Sequence, residues 1–209
     1  MTLRAPARSA RFTLLVLGSR FIAQAAPVDG EEEARAAREA MRREFPDATH
    51  HCWGLILRLP AGERALCDDA GEPAGTAGPP ILQAIRRAGV TDALVIVARW
   101  FGGTRLGKGG LARAYRSSAG SALAAAGVVQ VVPMIRLQLA GPVEGDGAVR
   151  HLIARRTGRL RDASYDESGG VLLLVELPES ERAALEDDLA GLTRGAWRAA
   201  AARGGRSGG

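Results

Sequence analysis

Apolar residues along the first two thirds of the chain alternate between the spacing of strands and that of helices. Residues 12–17 and 20–25 flank Gly18-Ser19, and this arrangement predicts a β-hairpin. Glutamates 31–33 precede apolar residues at helical spacing, which predicts an amphipathic helix. The elements predicted after the hairpin are a helix over 31–45, a strand over 51–59, a mostly loop segment over 60–80, a helix over 81–88, a strand over 93–98, a helix over 111–126 and a strand over 128–132.

The pattern changes near Pro133, and a second, smaller domain is predicted from there. Its elements are strands over 134–140, 159–165, 171–177 and 196–201 and helices over 147–157 and 178–192. This βαββαβ order is typical of a ferredoxin-like domain. The expected domains are therefore 11–132 and 133–202, with residues 1–10 and 203–209 disordered.

Composition favours a folded protein of the cytoplasm. The 209 residues are 46% hydrophobic and carry a net charge of +5, and the two cysteines are too few for a disulfide framework. The N-terminal apolar run resembles a signal peptide, but Arg20 interrupts it after about six residues, short of the 7–15 expected. No run approaches the length of a membrane span, so we expect a cytoplasmic protein without membrane contact.

The positive charge is concentrated in the first part of the chain. Residues 1–133 carry 17 basic and 12 acidic side chains, whereas residues 134–209 carry 11 of each. Residues 99–116 contain five basic residues and no acid, and 102–110 contain five glycines. The segment lies between a predicted strand and a predicted helix start, where free N–H groups favour anions. It therefore predicts a site for an anionic ligand.

Two segments resemble signatures of one family. Residues 69–80 (DAGEPAGTAGPP) resemble D-G-E-P-x-G-T-A-G-x-P, and residues 99–115 resemble R-Y-F/Y-G-G-x-x-L-G-x-G-G-L-x-R/K-A-Y, both of the YigZ/IMPACT family. Short matches also occur at Ser19-Arg20-Phe21-Ile22 and His50-His51-Cys52. Trp100 departs from the usual tyrosine, and Lys108 occupies a variable position.

The resemblance implies a fold and a functional class. It implies an N-terminal, ribosomal-protein-like two-layer α/β domain similar to domain IV of elongation factor G, followed by a ferredoxin-like domain similar to its domain V. Eukaryotic members are translation regulators that compete for the activator of a starvation-responsive kinase. Bacterial members have no settled activity, and a ribosome or nucleic-acid role is the usual inference.

The basic segment supplies the candidate binding residues. Its cations fit phosphates, and its aromatic residues offer stacking faces; a solvated basic surface is the alternative. The candidates for nucleic-acid or anion binding are Arg99, Trp100, Gly102, Gly103, Arg105, Gly107, Lys108, Gly109, Gly110, Arg113, Tyr115 and Arg116.

A second loop supports the first. Asp69 and Glu72 are expected to pair with Arg99 or Arg105 rather than to hold a cation. Residues 75–78 form either a second anion-binding nest or a tight connection into the next helix. The supporting residues are Asp69, Glu72, Gly75, Thr76 and Gly78.

Two other chemistries fit less well. Residues 102–108 match G-x-x-x-x-G-K, but Gly109 stands where a P-loop needs Ser or Thr. His50, His51, Cys52 and Cys67 fall short of a zinc pattern, because only His50 and Cys52 share a strand face. His51 is kept as a candidate because it could lie near the loops. We expect no metal, no cofactor and no catalytic residue.

These observations favour a non-enzymatic, translation-associated regulator. It would bind the ribosome, RNA or a translation factor through the basic glycine-rich loop. The alternatives are a regulator of a stress-responsive translation pathway that binds protein without nucleic-acid contact, and an enzyme that binds a small anion or a nucleotide. The oligomeric state is left open.

Overall fold

A computed structural model describes residues 3–59 and 62–202 of the protein. The chain forms two compact units, and it passes from the first to the second between Val131 and Val132. The tail predicted to be disordered, 203–209, lies outside the described residues.

The first unit combines a five-stranded antiparallel sheet with three helices. The strand order is β2-β3-β6-β4-β5, and a separate ribbon pairs β1 with β7. The elements in chain order are β1 (Leu3–Pro6), β2 (Ala10–Val16), β3 (Ser19–Pro27), α1 (Glu31–Glu44), β4 (His50–Leu59), β5 (Gly62–Asp68), α2 (Gly78–Ala88), β6 (Ala93–Trp100), α3 (Gly107–Ala126) and β7 (Val128–Val131).

The sheet buries both of its faces. Helices α2 and α3 pack with Phe21 and Cys52 on one face, and α1 packs with Trp53 and Leu55 on the other. The central strand β6 is buried from Ala93 to Arg99, which explains its uninterrupted apolar sequence. The predicted α/β architecture is confirmed.

Two predictions about this unit were wrong. The leader expected to be disordered over 1–10 contains β1, which pairs with β7 in the register Leu3 opposite Val131. The segment expected to be mostly loop contains β5, which pairs with β4 from Gly62 to Asp68. Both strands lie outside the continuous apolar runs. They form because they pair with a partner strand, and the hydrophobic periodicity of a single segment does not reveal such pairing.

The second unit has the predicted ferredoxin-like order of elements. Its sheet has the strand order β11-β8-β10-β9, and all neighbours are antiparallel. Its elements are β8 (Met134–Pro142), α4 (Asp146–Arg155), β9 (Arg159–Tyr165), β10 (Gly170–Pro178), α5 (Arg182–Thr193) and β11 (Arg198–Ala201). Both helices and the sheet share one core, which includes Leu139, Leu173 and Trp197. Among the described helices of the chain, none is long and apolar enough to cross a membrane.

Candidate functional site

The basic glycine-rich segment runs from the end of β6 into α3. Helix α3 begins at Gly107, four residues before the predicted start, so Lys108, Gly109 and Gly110 lie in its first turn. Leu106, at the cap position, makes no side-chain hydrogen bond to this end. The first N–H groups of α3 therefore remain available to an external acceptor.

Arg99 and Glu72 form a buried ion pair. Arg99 Nη1 donates to Glu72 Oε1 at 2.5 Å, and the two side chains are only 6% and 3% exposed. Tyr115 Oη donates to the same carboxylate oxygen at 2.7 Å, from a side chain that is fully buried. The predicted pairing of Glu72 with Arg99 is thus present. Two of the candidate binding residues, Arg99 and Tyr115, instead hold the loop that carries Glu72.

Further side chains complete this buried network. Arg99 Nη2 donates to Ser19 Oγ at 3.3 Å, and the rings of Phe21 and Tyr115 pack edge-to-face with their centroids 5.2 Å apart. Cys52 Sγ donates to the Asp69 carbonyl oxygen at 3.0 Å. We call Ser19, Cys52, Glu72, Arg99 and Tyr115 the buried network.

Burial keeps the Cys52 thiol and the Tyr115 phenol protonated. Burial raises the pKa of Cys52 to about 12, and it likewise raises the pKa of Tyr115 far above its usual value. A thiol must ionise to act as a nucleophile. Cys52 is therefore a structural residue, and Tyr115 is a hydrogen-bond donor to Glu72.

Asp69 binds backbone N–H groups instead of an arginine. Its carboxylate accepts from Gly75, Ala77 and Gly78, each at 2.8 Å. Burial opposes the charge of Asp69, but the three N–H donors outweigh it and lower the pKa of the carboxyl. The nest predicted at 75–78 is therefore occupied by the chain's own carboxylate, and the expected pairing of Asp69 with a loop arginine is wrong.

Thr76 also belongs to this loop rather than to an external site. Its Oγ1 donates to the Pro73 carbonyl oxygen at 2.6 Å, which closes the turn. Gly78 opens α2, and a Cβ on it would lie 3.0 Å from the backbone nitrogen of Asp68. The loop from Asp69 to Gly78 is thus a tight connection into the helix, held by hydrogen bonds between its own groups.

His50, and not His51, lies beside the network. His50 Nδ1 is 2.9 Å from the Ala70 carbonyl oxygen, and its Nε2 is 4.0 Å from Glu72 Oε1. Successive side chains on a strand point to opposite faces. His51 therefore lies on the α1 face of β4, where burial lowers its pKa. The structure therefore brings His50, and not the candidate His51, to the buried network, and the strand alternation that puts His50 and Cys52 on one face was the sequence signal for His50.

Two glycines bring the β2–β3 turn and the basic loop into contact. A Cβ at Gly102 would lie 1.9 Å from the carbonyl carbon of Gly18, so only glycine permits this approach. Gly103 and Gly107 have φ values of +85° and +69°, a region that favours glycine. Backbone geometry therefore accounts for Gly102, Gly103 and Gly107.

The two aromatic residues of the loop have different surroundings. The Trp100 ring packs under the Arg20 guanidinium, at 3.9 Å from its centroid, and its Nε1 donates to Asp47 at 2.9 Å. Phe101 is 49% exposed. Trp100 is thus engaged within the unit, and Phe101 is the more exposed of the two aromatic residues.

Three of the four remaining cations of the segment are exposed to solvent. Arg105, Lys108 and Arg113 are exposed and Arg116 is half-buried. Within residues 3–59 and 62–202, none of the four has a carboxylate within ion-pair distance. We call Arg105, Lys108 and Arg113 the α3 cation surface. In the same ranges no cluster of three or more potential metal ligands occurs.

Comparison with known proteins matches both units. A family model described as the Impact N-terminal domain matches residues 17–123, which include the buried network and the α3 cation surface. A model described as a domain of unknown function (DUF1949) matches residues 147–196.

Similar whole proteins are also found. The chain is 35% identical over 178 residues to "IMPACT family member YigZ" of Escherichia coli, covering 85% of this chain and 86% of that protein. It is 36% identical to an IMPACT family member of Thermus thermophilus, covering 87% and 97%. A crystal structure of a hypothetical protein matches with a TM-score of 0.72 at 32% identity, covering 97% and 98%.

Proposed function

Because the chain belongs to the IMPACT family, we propose that it is a translation-associated regulator that binds ribosomal RNA through the α3 cation surface. Family membership suggests the translation-related, regulatory class of function. The observation that carries the RNA contact is the group of exposed cations without carboxylate partners at the free start of α3. Such a role belongs in the cytoplasm.

Uncompensated cations favour a polyanionic partner. Charged side chains in a fold are commonly offset by neighbours, as Arg99 is by Glu72. Arg105, Lys108 and Arg113 have no such neighbour among the described residues, although the chain carries 23 acidic residues. Phosphates satisfy these cations and the free N–H groups of Gly107, Lys108 and Gly109 together.

The proposed contact is independent of base sequence. Arginine, lysine and backbone N–H groups at a helix start bind phosphate oxygens, which carry no sequence information. The buried network makes the surface rigid, because it joins the loop of Glu72, strand β6 and helix α3. We therefore expect docking on RNA by shape and charge, with a strong dependence on salt.

Co-sedimentation with ribosomes across a salt series tests this proposal. If about four cations meet phosphates, the slope of log affinity against log salt is roughly −3. The variant Arg105→Ala/Lys108→Ala/Arg113→Ala should show a slope of about −1 and weaker binding at every salt concentration.

A variant with the same loss of charge on α1 serves as the control. Arg35→Ala/Arg42→Ala/Arg43→Ala removes three exposed arginines on the opposite face of the sheet. It should retain most of the wild-type slope. Equal losses in the two variants would show that net charge alone matters, and a wild-type chain that stays in the supernatant at low salt would overturn the proposal.

A protein partner is the second candidate, and one surface favours it. Leu15 and Leu17 are 70% and 63% exposed, and Leu17 adjoins Gly18, whose backbone touches Gly102 next to exposed Phe101. Large exposed apolar side chains at two neighbouring turns favour a contact with another protein. Ribosome binding that ignores salt but is lost in Leu15→Ser/Phe101→Ser would favour a translation-associated protein as the direct partner.

A further inference from the structure

A groove runs between α2 and α3 on the outer surface of the first unit. It encloses about 870 Å³. Its base consists of small residues on both helices, among them Ala84, Ala88, Gly120 and Ala124. Because these side chains are short, an elongated ligand can approach the helix backbones closely.

The polar side chains at the edges of this otherwise apolar groove are cations and hydroxyl groups, and its lining contains no acid. Arg87, Arg113 and Arg116 contribute guanidinium groups, and Ser117 and Ser121 contribute hydroxyls. None of these three arginines has an ion-pair partner in the part of the chain that the structure describes. Arg116 is half-buried, and its buried Nε has no hydrogen-bond partner in those same ranges.

Further arginines lie at the opposite end of these helices from the α3 cation surface. Arg8 Nη2 donates to the Ala125 carbonyl oxygen at 3.3 Å, in the last turn of α3. Arg4, on β1, reaches to within 3.4 Å of a Cβ placed on Gly89, the residue that ends α2. Between Lys108 and Ala125 the helix rises about 26 Å. Cations therefore occur from one end of α3 to the other.

We infer that the groove between α2 and α3 holds the sugar–phosphate backbone of a single RNA strand, which continues from the α3 cation surface towards Arg8. The inference rests on the proposed function and names its ligand class. Arg113 lines the groove and also belongs to the α3 cation surface, so the two surfaces are continuous and one strand can contact both. Arginine forks match phosphate oxygens, and the serine hydroxyls add further donors.

The shape of the groove favours one strand and excludes stacked bases. The axes of packed helices lie only about 8–10 Å apart, so the groove on their outer surface is too narrow for a double helix, whereas one extended strand can lie along it. The lining residues include no aromatic side chain, so nothing there stacks on bases. The backbone therefore lies in the groove with its bases towards solvent, and we expect little preference among base sequences.

Filling the groove without changing its charge gives the sharpest test. A Cβ on Gly120 meets no atom within 4 Å, so Gly120→Leu fits the helix and places its side chain over the base of the groove. The probe is a fluorescent oligouridylate of about 12 nucleotides, measured by anisotropy. We expect at least a tenfold loss of affinity with an unchanged or higher Tm, since leucine favours a helix over glycine.

Gly191→Leu provides the matched control. Gly191 lies in α5 of the second unit, and a Cβ there also meets nothing within 4 Å. This variant should bind the oligonucleotide within twofold of wild type. The charge test is Arg87→Ala/Arg116→Ala, which should lower the magnitude of the salt slope by about 1.4, or about 0.7 for each phosphate contact.

The outcomes separate the two proposals. If Gly120→Leu and Gly191→Leu bind equally well while Arg105→Ala/Lys108→Ala/Arg113→Ala loses binding, the groove is not occupied and only this inference is overturned. A preference for double-stranded over single-stranded RNA also overturns it. If the wild-type chain binds neither ribosomes nor oligonucleotide, the proposed function fails and the groove assignment fails with it.

Discussion

Residues 99–116 contain two groups of cations and aromatics that look alike in sequence and differ in surroundings. Arg99 and Tyr115 point inward and meet at Glu72, whereas Arg105, Lys108 and Arg113 point outward and meet no carboxylate in the described structure. The inward group joins β6, α3 and the loop of Glu72. The outward group depends on that scaffold for its position. A single sequence motif can thus contain structural residues and proposed binding residues, and their burial tells the two kinds apart.

The largest effect is expected from breaking the inward group. Glu72→Gln keeps the shape of the side chain but leaves the Arg99 charge buried without a counter-ion, so it should lower the free energy of unfolding by about 3–5 kcal/mol. Urea denaturation measures this. Glu31→Gln is the control, because Glu31 and Arg64 pair at 2.9 Å with both side chains about half exposed; it should cost less than about 1 kcal/mol. An equal loss of stability in the two variants would contradict the distinction between the buried ion pair and an exposed one.

Removing the charge of Asp69 should have the next largest effect. Asp69→Asn weakens three charge-assisted hydrogen bonds from the loop backbone and should cost about 2 kcal/mol. Because the folded state lowers the pKa of Asp69, its contribution is present above the ordinary carboxyl pKa and is lost as the pH falls through the lowered value.

Thermal unfolding between neutral and acid pH measures this second effect. The difference between wild type and Asp69→Asn should shrink as the pH falls. Asp187→Asn, at an exposed position of α5, is the control and should change the Tm at neutral pH much less than Asp69→Asn does. A difference that grows at low pH would contradict the assigned role of Asp69.

Tyr115→Phe should have a smaller effect on the inward group. It keeps the edge-to-face packing with Phe21 but removes one donor to the Glu72 carboxylate. We expect a loss of about 1–2 kcal/mol in the free energy of unfolding, measured in urea, since Arg99 still pairs with Glu72. If the loss equalled that of Glu72→Gln, the phenol and not the guanidinium would be the main partner of Glu72.

The smallest effect on stability should come from the outward group. Arg105→Ala/Lys108→Ala changes two exposed side chains without partners among the described residues and should shift the free energy of unfolding by no more than about 0.5 kcal/mol. The same variant should still lose ribosome affinity in the sedimentation assay. A destabilisation comparable to that of Tyr115→Phe would mean that these cations also belong to the scaffold.

Sequence patterns predicted the elements whose signal is local. The hairpin around Gly18, the helix from Glu31 and the apolar strand β6 each have their own periodicity or turn residues. Strand β5 has only Ala65, Leu66 and Cys67 as an apolar group and is defined by its pairing with β4. Such pairing depends on residues distant in sequence, which explains why β5 was missed.

The site could be predicted only where its signal was local in the sequence. The Glu72–Arg99 pair followed from two oppositely charged loops, and the spacing of Leu111, Tyr115 and Ala119 already marks the buried stripe of α3. The sequence did not show which arginines point into the core, because the inward and the outward group lie in the same glycine-rich segment. Arg87, which lines the groove, and Arg4, which approaches Gly89 at the end of α2, were missed because each is distant in sequence from α3 and comes near it only in the folded unit.

The short ribbon of β1 and β7 also determines how the first unit responds to mechanical load. Leu3 lies opposite Val131, so the two strands present their outer chain ends at the same point. Tension applied at Leu3 and Val131 therefore breaks the four residue pairs of the ribbon one after another, instead of loading all four in shear at the same time. In single-molecule stretching, the N-terminal arm with Arg4 should therefore peel away at low force, before the five-stranded sheet yields.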